Sequence, residues 1–442
     1  MQHNIENSGD SAEISTTVVV PERLVHGGAA LVRTDAGIVF VEGALPDERV
    51  RIGSMYRDGG TPRADLLEII EPSPYRRRPA CPLFGDCGGC DWQHLEYAQQ
   101  LRWKREILAE NFRRLGSVAI SADDIGVSSG DEYGYRSRVQ VHPTASGGVG
   151  FRRRHSHDTI EITHCPVATV AINGKLARLN GSARTDSDVH RRQRTVLVEE
   201  DRGVAVGGVH REATVSIDGM PVRFDPAGFA QANRGLLPDL ARRLQAAYVG
   251  GSLVDLYAGA GLLSAMALAA SPVSDTSHPI EVICVEPDGR NARFIRENLT
   301  AQGYSDTVHV VQSTAERAIT RAPLRSLAAG NTTVLVDPPR GGVSKAVARW
   351  LVGSTGENAA PGAARGRTDE AASGTGGPGR GPGAAAAERV IYVSCDAAAL
   401  ARDVGRLSAT YELTEITLFD FYPQTAHIEA LVILDRRRTS PP

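Results

Sequence analysis

The sequence predicts an α/β protein whose C-terminal half is a mostly parallel sheet with helices on both faces. From about residue 252, short apolar runs alternate with helical segments, as in βαβ units. Before residue 72, short runs are separated by turn residues, which is typical of a small barrel of the oligonucleotide-binding type. A region of mixed helix and strand lies between. We therefore predict a barrel over 14–71, a central domain over 72–220 and a third domain over 221–442.

Composition and charge exclude several classes of protein. With 442 residues, 41% hydrophobic and 23% charged, the chain can build several cores and is not disordered throughout. It holds no apolar run near the ~18 residues of a membrane span, and its N-terminus does not resemble a secretory signal. The net charge of −3 argues against a generally basic nucleic-acid-binding protein. We expect a cytoplasmic monomer that does not associate with membranes.

Apolar periodicity predicts the elements in order. The strands predicted in the barrel are Ala29–Arg33, Gly37–Val41, Arg49–Ile52 and Asp65–Ile70. The central region is predicted to hold a helix over Glu96–Leu115 and strands over Arg136–His142, Thr195–Glu199 and Thr214–Ile217. The strands predicted in the C-terminal half are Leu253–Ala258, Val282–Glu286, Val308–Val311, Thr333–Asp337 and Val390–Ser394.

Two later segments depart from this alternation. Leu413–Phe421 and Ile428–Leu434 are separated only by a short loop that contains proline, so we expect an antiparallel pair that closes the sheet. Residues 353–387 contain 23 Gly, Ala or Pro in 35 positions. Such a composition builds no core, and it predicts a disordered insertion, with a poly-Ala helix as the alternative for Ala384–Ala387.

Three cysteines form a compact set. Cys81, Cys87 and Cys90 have the spacing C-x5-C-x2-C, and glycines beside them allow the thiolates to converge. Thiolates suit zinc or an iron–sulfur cluster, and the spacing does not decide between the two. Cys165, in a loop before a proline, is the best candidate for a fourth ligand. The alternative is a set of ordinary cysteines, and Cys284, in an apolar run, is predicted to be core.

A glycine loop predicts a cofactor site. The string Asp255–Gly261 follows a strand and opens a helix, and Gly259 and Gly261 let the backbone approach a ligand. Glu286 ends the next strand, where an acid commonly binds a pair of ribose hydroxyls. The third glycine of the dinucleotide motif is missing, which favours S-adenosylmethionine over NAD. A purely structural turn is the alternative.

Reactive side chains follow later strands at the same edge of the sheet. Asp337 ends the fourth strand before two prolines, and Cys395 ends the fifth. A cysteine there is a candidate nucleophile if its pKa, ordinarily about 8.5, is lowered or a base is supplied. His427 and Glu429 share one face of a strand, for which a solvated strand end is the alternative.

Together these strings resemble the uracil-C5 RNA methyltransferase family. The resemblance runs from about residue 14 and includes a TRAM-type barrel, the cysteine string and GFAQAN at 228–233. It continues through DLYAGAGL, VEPD, VDPPRGG, SCD and FYPQTAHIEAL. It implies a class I, Rossmann-like methyltransferase domain at the C-terminus. It also implies that Cys81, Cys87, Cys90 and Cys165 hold a 4Fe–4S cluster.

The resemblance assigns roles to individual residues. Gln231, Tyr257, Glu286 and Asp337 are implied to line the S-adenosylmethionine site. Cys395 corresponds to the nucleophile that attacks C6 of uracil, and Glu429 to the general base. The reaction is then covalent catalysis on a base that has left its stack.

Three departures from the family pattern stand out. Asp396 and Ala397 replace the Asn and Pro usual after the nucleophile, which questions the rigidity of that loop. Leu262 replaces a small polar residue after the second glycine. The usual Pro-Gly-Glu turn of the barrel reads Pro46–Glu48 here.

The RNA partner is predicted less directly. Relatives with both the barrel and the cluster typically modify ribosomal RNA, so we favour large-subunit ribosomal RNA over transfer RNA. Residues 72–200 hold 19 Lys and Arg against 15 Asp and Glu. Basic clusters there, such as 76–78, 102–105 and 152–154, are candidate phosphate contacts, although such clusters are commonly only solvated.

Two rival functions remain open from the sequence. The first is a methyltransferase with another substrate, which would have no use for the Cys395 thiol. The second is a non-catalytic RNA-binding protein, for which the altered residues after Cys395 are the only support.

Overall fold

A computed structural model describes residues 16–181, 189, 192–269, 280–324, 331–353 and 387–438. The chain forms two compact units. The first is Met1–Trp103 with Gln424–Ala426, and the second is Lys104–Pro423 with His427–Pro442. The predicted insertion at 353–387 lies outside the described residues except at its two ends. The division into three domains stays a prediction.

The part of the first unit that the structure describes contains eight short strands. They are β1 (Thr17–Val19), β2 (Arg23–Leu24), β3 (Ala30–Thr34), β4 (Gly37–Val41), β5 (Arg49–Ile52), β6 (Tyr56–Asp58), β7 (Thr61–Ala64) and β8 (Leu66–Glu71). They form two sheets, ordered β1-β5-β8 and β2-β3-β4-β7-β6. Asp47, which replaces the usual glycine of the barrel turn, has a φ of 66°. Asp tolerates this left-handed conformation better than most residues, so the turn survives the replacement.

The middle of the chain contributes helices and smaller sheets. Its elements are α1 (Tyr97–Asn111), continued by a π-helical turn over Phe112–Gly116, then β9 (Gly126–Ser128), β10 (Arg138–Pro143), β11 (Val149–Arg152), β12 (Thr159–Glu161), α2 (Val170–Asn180), β13 (Thr195–Glu200), β14 (Gly203–Val206), β15 (Ala213–Ile217) and β16 (Met220–Phe224). Strands β10–β14 form one antiparallel sheet in the order β12-β11-β10-β13-β14, and β15 and β16 form a hairpin.

The remaining elements alternate as predicted. They are α3 (Leu237–Ala247), β17 (Ser252–Asp255), α4 (Leu262–Leu268), β18 (Val282–Val285), α5 (Gly289–Thr300), β19 (Val308–Val311), α6 (Ala315–Ala318), β20 (Thr332–Val336), α7 (Lys345–Leu351), β21 (Arg389–Ser394), α8 (Ala397–Leu407), β22 (Tyr411–Phe419) and β23 (Glu429–Arg436). Among the described residues, no helix has the length and apolar character that crossing a membrane requires.

These strands build one eight-stranded sheet in the order β19-β18-β17-β20-β21-β23-β22-β9. Strands β17 to β21 run parallel, and β23 runs antiparallel to both of its neighbours. The predicted parallel sheet and its antiparallel closure are confirmed. Strand β9, from the middle of the chain, pairs with β22 at the edge and was not predicted. Chain order reverses around β17, which places a crevice at the carboxyl ends of β17 and β20.

Local chemistry explains the central elements. All residues of β18 and β20 are buried, as expected of strands covered on both faces. Cys284 in β18 is fully buried in the core, as predicted. The side chain of Asp288 caps α5 by accepting hydrogen bonds from the backbone N–H groups of Arg290 and Asn291.

Candidate active site

Three predicted residues meet at one edge of the sheet. Asp337 follows β20, Cys395 follows β21 and Glu429 begins β23. The register of β21 and β23 pairs Ser394 with Ala430. Cys395 and Glu429 therefore lie one residue beyond that pair on adjacent strands. The fold brings together side chains from three separate parts of the chain.

A cavity of about 520 Å³ opens at this edge, and we call it the cysteine cavity. Cys395, Glu429, Asp337, Arg136, Arg340, Tyr422 and His427 are among its lining residues. His427 precedes β23 and is exposed, whereas Glu429 is only 5% exposed. The cavity thus combines a thiol, two carboxyl groups and two guanidinium groups, which is chemistry for nucleophilic attack with proton transfer.

The pKa of the Glu429 carboxyl group is raised towards neutral pH. Burial and the negative charges of Asp337 and Asp420 raise its pKa to about 8, while Lys104 lowers it. Within the described part of the chain, the Oε2 atom of Glu429 has no hydrogen-bond partner. A carboxyl group that titrates near neutral pH and has one oxygen atom without a hydrogen-bond partner is suited to act as a general base.

The thiol of Cys395 is exposed and shares its electrostatic surroundings with Glu429. Desolvation, then the charges of Glu429 and Asp337, raise the pKa of Cys395, whereas the charge of Arg340 and a backbone hydrogen bond lower it. The lowering that a nucleophile needs is therefore not reached in this arrangement of side chains. The cavity favours one negative charge over two, because the thiolate and the Glu429 carboxylate repel each other.

The backbone after Cys395 is held by a helix cap. The Asp396 carboxylate accepts a hydrogen bond from the Ala399 N–H at 2.7 Å, and the Ser394 hydroxyl accepts one from the Asp396 N–H at 3.2 Å. Ala397 begins α8 and is buried. The two residues that depart from the family pattern thus start a capped helix, which supplies rigidity without a proline.

A second cavity, of about 280 Å³, surrounds the glycine loop, and we call it the glycine-loop cavity. Five of the six residues predicted to bind a cofactor line it: Gln231, Tyr257, Gly259, Glu286 and Asp337. Leu262, the second departure, adds apolar surface to the same cavity.

Gly261, the sixth predicted residue, is not among the residues that line this cavity. Its φ is 82°, and a Cβ atom there would lie 3.3 Å from the Cα atom of Ile295 in α5. Packing therefore explains why position 261 is a glycine: the residue precedes α4 in a left-handed conformation, and the missing side chain lets α5 come close.

Glu286 organises the glycine loop. Its carboxylate accepts hydrogen bonds from the backbone N–H groups of Gly259 at 3.0 Å and Asp288 at 2.9 Å. A carboxylate has further lone pairs, so Glu286 can still accept hydrogen bonds from a ligand. A Cβ atom at Gly259 would meet nothing within 4 Å, which leaves open space beside the loop.

The two cavities share one wall. Phe229, Gln231 and Asp337 line both of them. Gln231 is buried, and its Oε1 atom has no hydrogen-bond partner among the described residues. Burial and the charge of Asp255 raise the pKa of Asp337 to about 7. Molecules bound in the two cavities would therefore meet at polar side chains.

The predicted metal ligands are not assembled in this way. Cys81, Cys87 and Cys90 belong to the first unit, and Cys165 belongs to the second. In the ranges that the structure describes, no three His, Cys, Asp or Glu side chains are arranged to hold a metal ion. The chemistry of the thiols fits a soft metal or a cluster, and the ligand set stays a prediction.

Comparison with known proteins decides the family. A family profile described as tRNA (uracil-5-)-methyltransferase matches residues 384–437, which include Cys395 and Glu429. An uncharacterized RNA methyltransferase of Streptomyces coelicolor is 30% identical over 463 residues, covering 93% of this chain and 91% of that protein. The chain belongs to the uracil-C5 RNA methyltransferase family. It is an enzyme, as predicted.

Other members of the family align over similar lengths. The 23S rRNA (uracil(1939)-C(5))-methyltransferase RlmD of Alkalilimnicola ehrlichii is 28% identical, over 93% of this chain and 95% of its own. The crystal structure of Pyrococcus abyssi tRNA (uracil-54, C5)-methyltransferase in complex with S-adenosyl-L-homocysteine has a TM-score of 0.67 at 19% identity, covering 95% of this chain and all of that one. This likeness confirms the class I methyltransferase fold.

Sequence reasoning missed several residues that line the two cavities. Arg340 lies in the string VDPPRGG and Tyr422 in FYPQTAHIEAL, and neither string by itself assigns a role to these two residues. Phe229 stands in the GFAQAN string and is 64% exposed. Arg136 had no local signal, and its guanidinium lies 5.6 Å from the centre of the Tyr422 ring. An arginine that reaches the cysteine cavity from the segment before β10 is visible only in the fold.

Proposed function

We propose that this enzyme transfers a methyl group from S-adenosylmethionine to C5 of a uridine in RNA, through a covalent bond between Cys395 and C6 of the base. The observation that carries the proposal is the wall of Phe229, Gln231 and Asp337 that both cavities share. A methyl donor in the glycine-loop cavity would lie beside a base in the cysteine cavity. Such placement is the main requirement for transfer between two bound reactants.

The glycine-loop cavity fits the methyl donor. We assign Glu286 to the ribose hydroxyls, and Gln231, Tyr257 and Asp337 to the remainder of the molecule. The unpartnered Oε1 atom of Gln231 and the open space beside Gly259 support this assignment. S-adenosylmethionine, when bound, supplies the electrophilic sulfonium methyl group that C5 accepts.

Cys395 makes C5 reactive. Uracil C5 is a poor nucleophile, and attack of the Cys395 thiolate on C6 moves the electrons of the C5–C6 double bond to C5 and O4. Arg340 favours the thiolate that begins this step. The attack converts the thiolate into a neutral thioether and moves its negative charge to C5 and O4 of the base. The base becomes neutral when C5 bonds to the methyl group, whose bond to the sulfonium sulfur breaks.

Glu429 completes the reaction. Once C5 has accepted the methyl group, neither the Cys395 thioether nor the base carries a negative charge, so Glu429 ionises more easily. Its carboxylate then takes the proton from C5. The electrons of the C5–H bond restore the double bond and expel the Cys395 thiolate. A cavity that favours one negative charge therefore serves two steps in turn.

The base must leave its stack to reach this cavity. The exposed ring of Phe229 and the Arg136–Tyr422 pair offer aromatic and cationic surfaces to a flipped base. We propose uridine in large-subunit ribosomal RNA as the target. Two relatives named 23S rRNA methyltransferases, 28% and 29% identical over 93% and 94% of this chain, support that choice.

An in vitro assay tests the chemistry and the target together. Protein-free large-subunit RNA and unmodified transfer RNA are incubated with enzyme and methyl-labelled donor, and 5-methyluridine is measured by mass spectrometry. Cys395→Ala is the matched control. We expect label in the large-subunit RNA with the intact enzyme only. Label confined to transfer RNA would refute the ribosomal target, and label in neither RNA would refute the activity.

We also propose that Cys81, Cys87 and Cys90 bind a 4Fe–4S cluster, with Cys165 as the fourth ligand that the family resemblance implies. The support is the set of thiol donors and their spacing. Anaerobically purified protein should contain about four iron atoms per chain, and Cys87→Ala should lose them while Cys284→Ala keeps them. One equivalent of zinc without iron would refute the cluster. Methyl transfer moves no net electrons, so we assign the cluster no step in the reaction.

A further inference from the structure

Lys104 is a buried cation in a stretch that the sequence predicted to be an exposed basic cluster. It belongs to the basic stretch 102–105, yet its side chain is 0% exposed, as is that of Asp420. The Lys104 Nζ atom donates hydrogen bonds to Asp420 Oδ1 at 2.6 Å and to the Tyr422 carbonyl at 3.0 Å. Burying two charges is costly, and removing one partner leaves the other uncompensated. Lys104 is therefore not a phosphate contact.

This ion pair lies at the corner of the chain between β22 and β23. The backbone N–H of Asp420 donates to the Ser128 carbonyl at 2.8 Å, and the Tyr135 hydroxyl donates to the Pro423 carbonyl at 2.8 Å. Together with Lys104, these contacts hold the segment from Asp420 to Pro423. The same segment carries Tyr422 into the cysteine cavity, after which the chain returns to begin β23.

The pair also lies next to the proposed base, because Asp420 follows Phe419, the residue of β22 that is paired with Glu429. The charged groups that act on the Glu429 carboxyl are Asp337 after β20, Asp420 after β22 and Lys104 on α1. Cys395 after β21 and Tyr422 in the corner are coupled to it as well. Since the Oε2 atom of Glu429 has no hydrogen-bond partner, its charge state depends on these neighbours. Lys104 and Asp420 act on it in opposite directions.

We propose that Lys104 and Asp420 are positioning residues for Glu429: the pair fixes the corner beside the cysteine cavity, and the two opposite charges balance each other at the carboxyl group that takes the C5 proton. This inference rests on the proposed role of Glu429. The buried lysine supplies the compensating charge without touching the substrate. Its charge lowers the pKa of Glu429, which is the direction that favours the carboxylate.

Opposite shifts from two substitutions test the balance. RNA carrying tritium at uridine C5 is used in single turnover, and tritium release is measured against pH. Lys104→Met leaves the Asp420 charge and should move the rising limb of the profile by roughly one pH unit to higher pH, a roughly tenfold loss below the limb. Asp420→Asn leaves the lysine charge and should move the limb to lower pH. The double variant should return close to the wild-type limb.

A merely structural role predicts something else. All three variants would then lose activity and melting temperature with the limb unmoved, and that result would overturn the proposal. If Lys104→Met does not fold, Asp420→Asn and the double variant still test the proposal. Of these two, only Asp420→Asn should move the limb of the pH profile. Glu429→Gln runs in parallel: full tritium release with an unchanged limb in that variant would refute the base itself, which is a separate failure.

Discussion

The two cavities that share a wall are built on different principles. In the glycine-loop cavity the carboxylate of Glu286 already accepts hydrogen bonds from the N–H groups of Gly259 and Asp288. In the cysteine cavity Glu429 keeps an unpartnered oxygen, and its charge disfavours the thiolate of Cys395. The glycine-loop cavity is therefore organised before a ligand binds. In the cysteine cavity, the negative charges of Glu429 and of the Cys395 thiolate repel each other. Substitutions in the first should therefore change affinity, and substitutions in the second should change rate.

The largest effect should come from Cys395→Ala. Without the thiol no bond to C6 forms, and methyl transfer should fall by roughly 10⁴-fold or more. Affinity for S-adenosylmethionine, measured by calorimetry, should stay within about twofold because the thiol does not line the glycine-loop cavity. Cys284→Ala is the control, since that thiol is buried away from both cavities. Parallel loss of donor binding and activity would break the distinction between the cavities.

Glu429→Gln should stop the reaction at a later stage. The thiolate can attack and C5 can accept the methyl group, but no carboxylate is left to remove the proton. Product release should slow by roughly 10²–10⁴-fold, and a denaturing gel should show protein covalently bound to RNA. Glu412→Gln, on an exposed position of β22, should turn over normally. Normal turnover of Glu429→Gln without an adduct would remove Glu429 from the mechanism.

A substitution in the other cavity sharpens the contrast. Glu286→Ala removes the acceptor that holds the glycine loop and, in our proposal, the ribose. The dissociation constant for S-adenosylmethionine should rise roughly 10–100-fold, as for the loss of a charged hydrogen bond. At saturating donor the rate should remain within a few fold of wild type. A large fall in that saturated rate with unchanged affinity would contradict the division between binding and reaction.

The smallest effect concerns stability. The pKa of Glu429 is raised to about 8 by burial, so the folded protein holds this proton more tightly than the unfolded chain. The stability that the neutral acid contributes is present below about pH 4 and is lost as pH rises through about 8. Glu429→Gln should therefore melt roughly 2–6 °C above wild type at pH 9 and close to it at pH 5. A gain that is larger at pH 5 would show the opposite sign and reject the burial argument.

The fold was largely readable because its strands are short apolar runs between helices. Val308–Val311 has identical bounds in sequence and structure, and β17 to β21 follow in the predicted order. Strand β9 was not readable. It has three residues, one of them Gly126, and it exists because a distant edge at β22 accepts it. Local periodicity carries no information about such a partner.

The site divides in the same way. The placement of Cys395 and Glu429 at one edge of the sheet was predictable, because each adjoins an apolar strand and neighbouring strands bring such ends together. The burial of Lys104 was not predictable. A basic stretch such as 102–105 is typical of a solvated surface, and only the packing of the fold shows that one of its cations is buried. Gly261 was assigned to ligand binding, although the contact with Ile295 supplies the reason for a glycine there. Burial is a property of the assembled unit.

Strand β9 limits how this enzyme can be cut. A fragment that starts at residue 221 would keep the glycine loop, Cys395 and Glu429 but would lack Gly126–Ser128. The outer side of β22 would then present a row of bare amide and carbonyl groups to water, which is a template for pairing with other chains and for aggregation. A soluble catalytic fragment therefore has to begin upstream of Gly126, and the RNA-modifying half of this chain is not a detachable module.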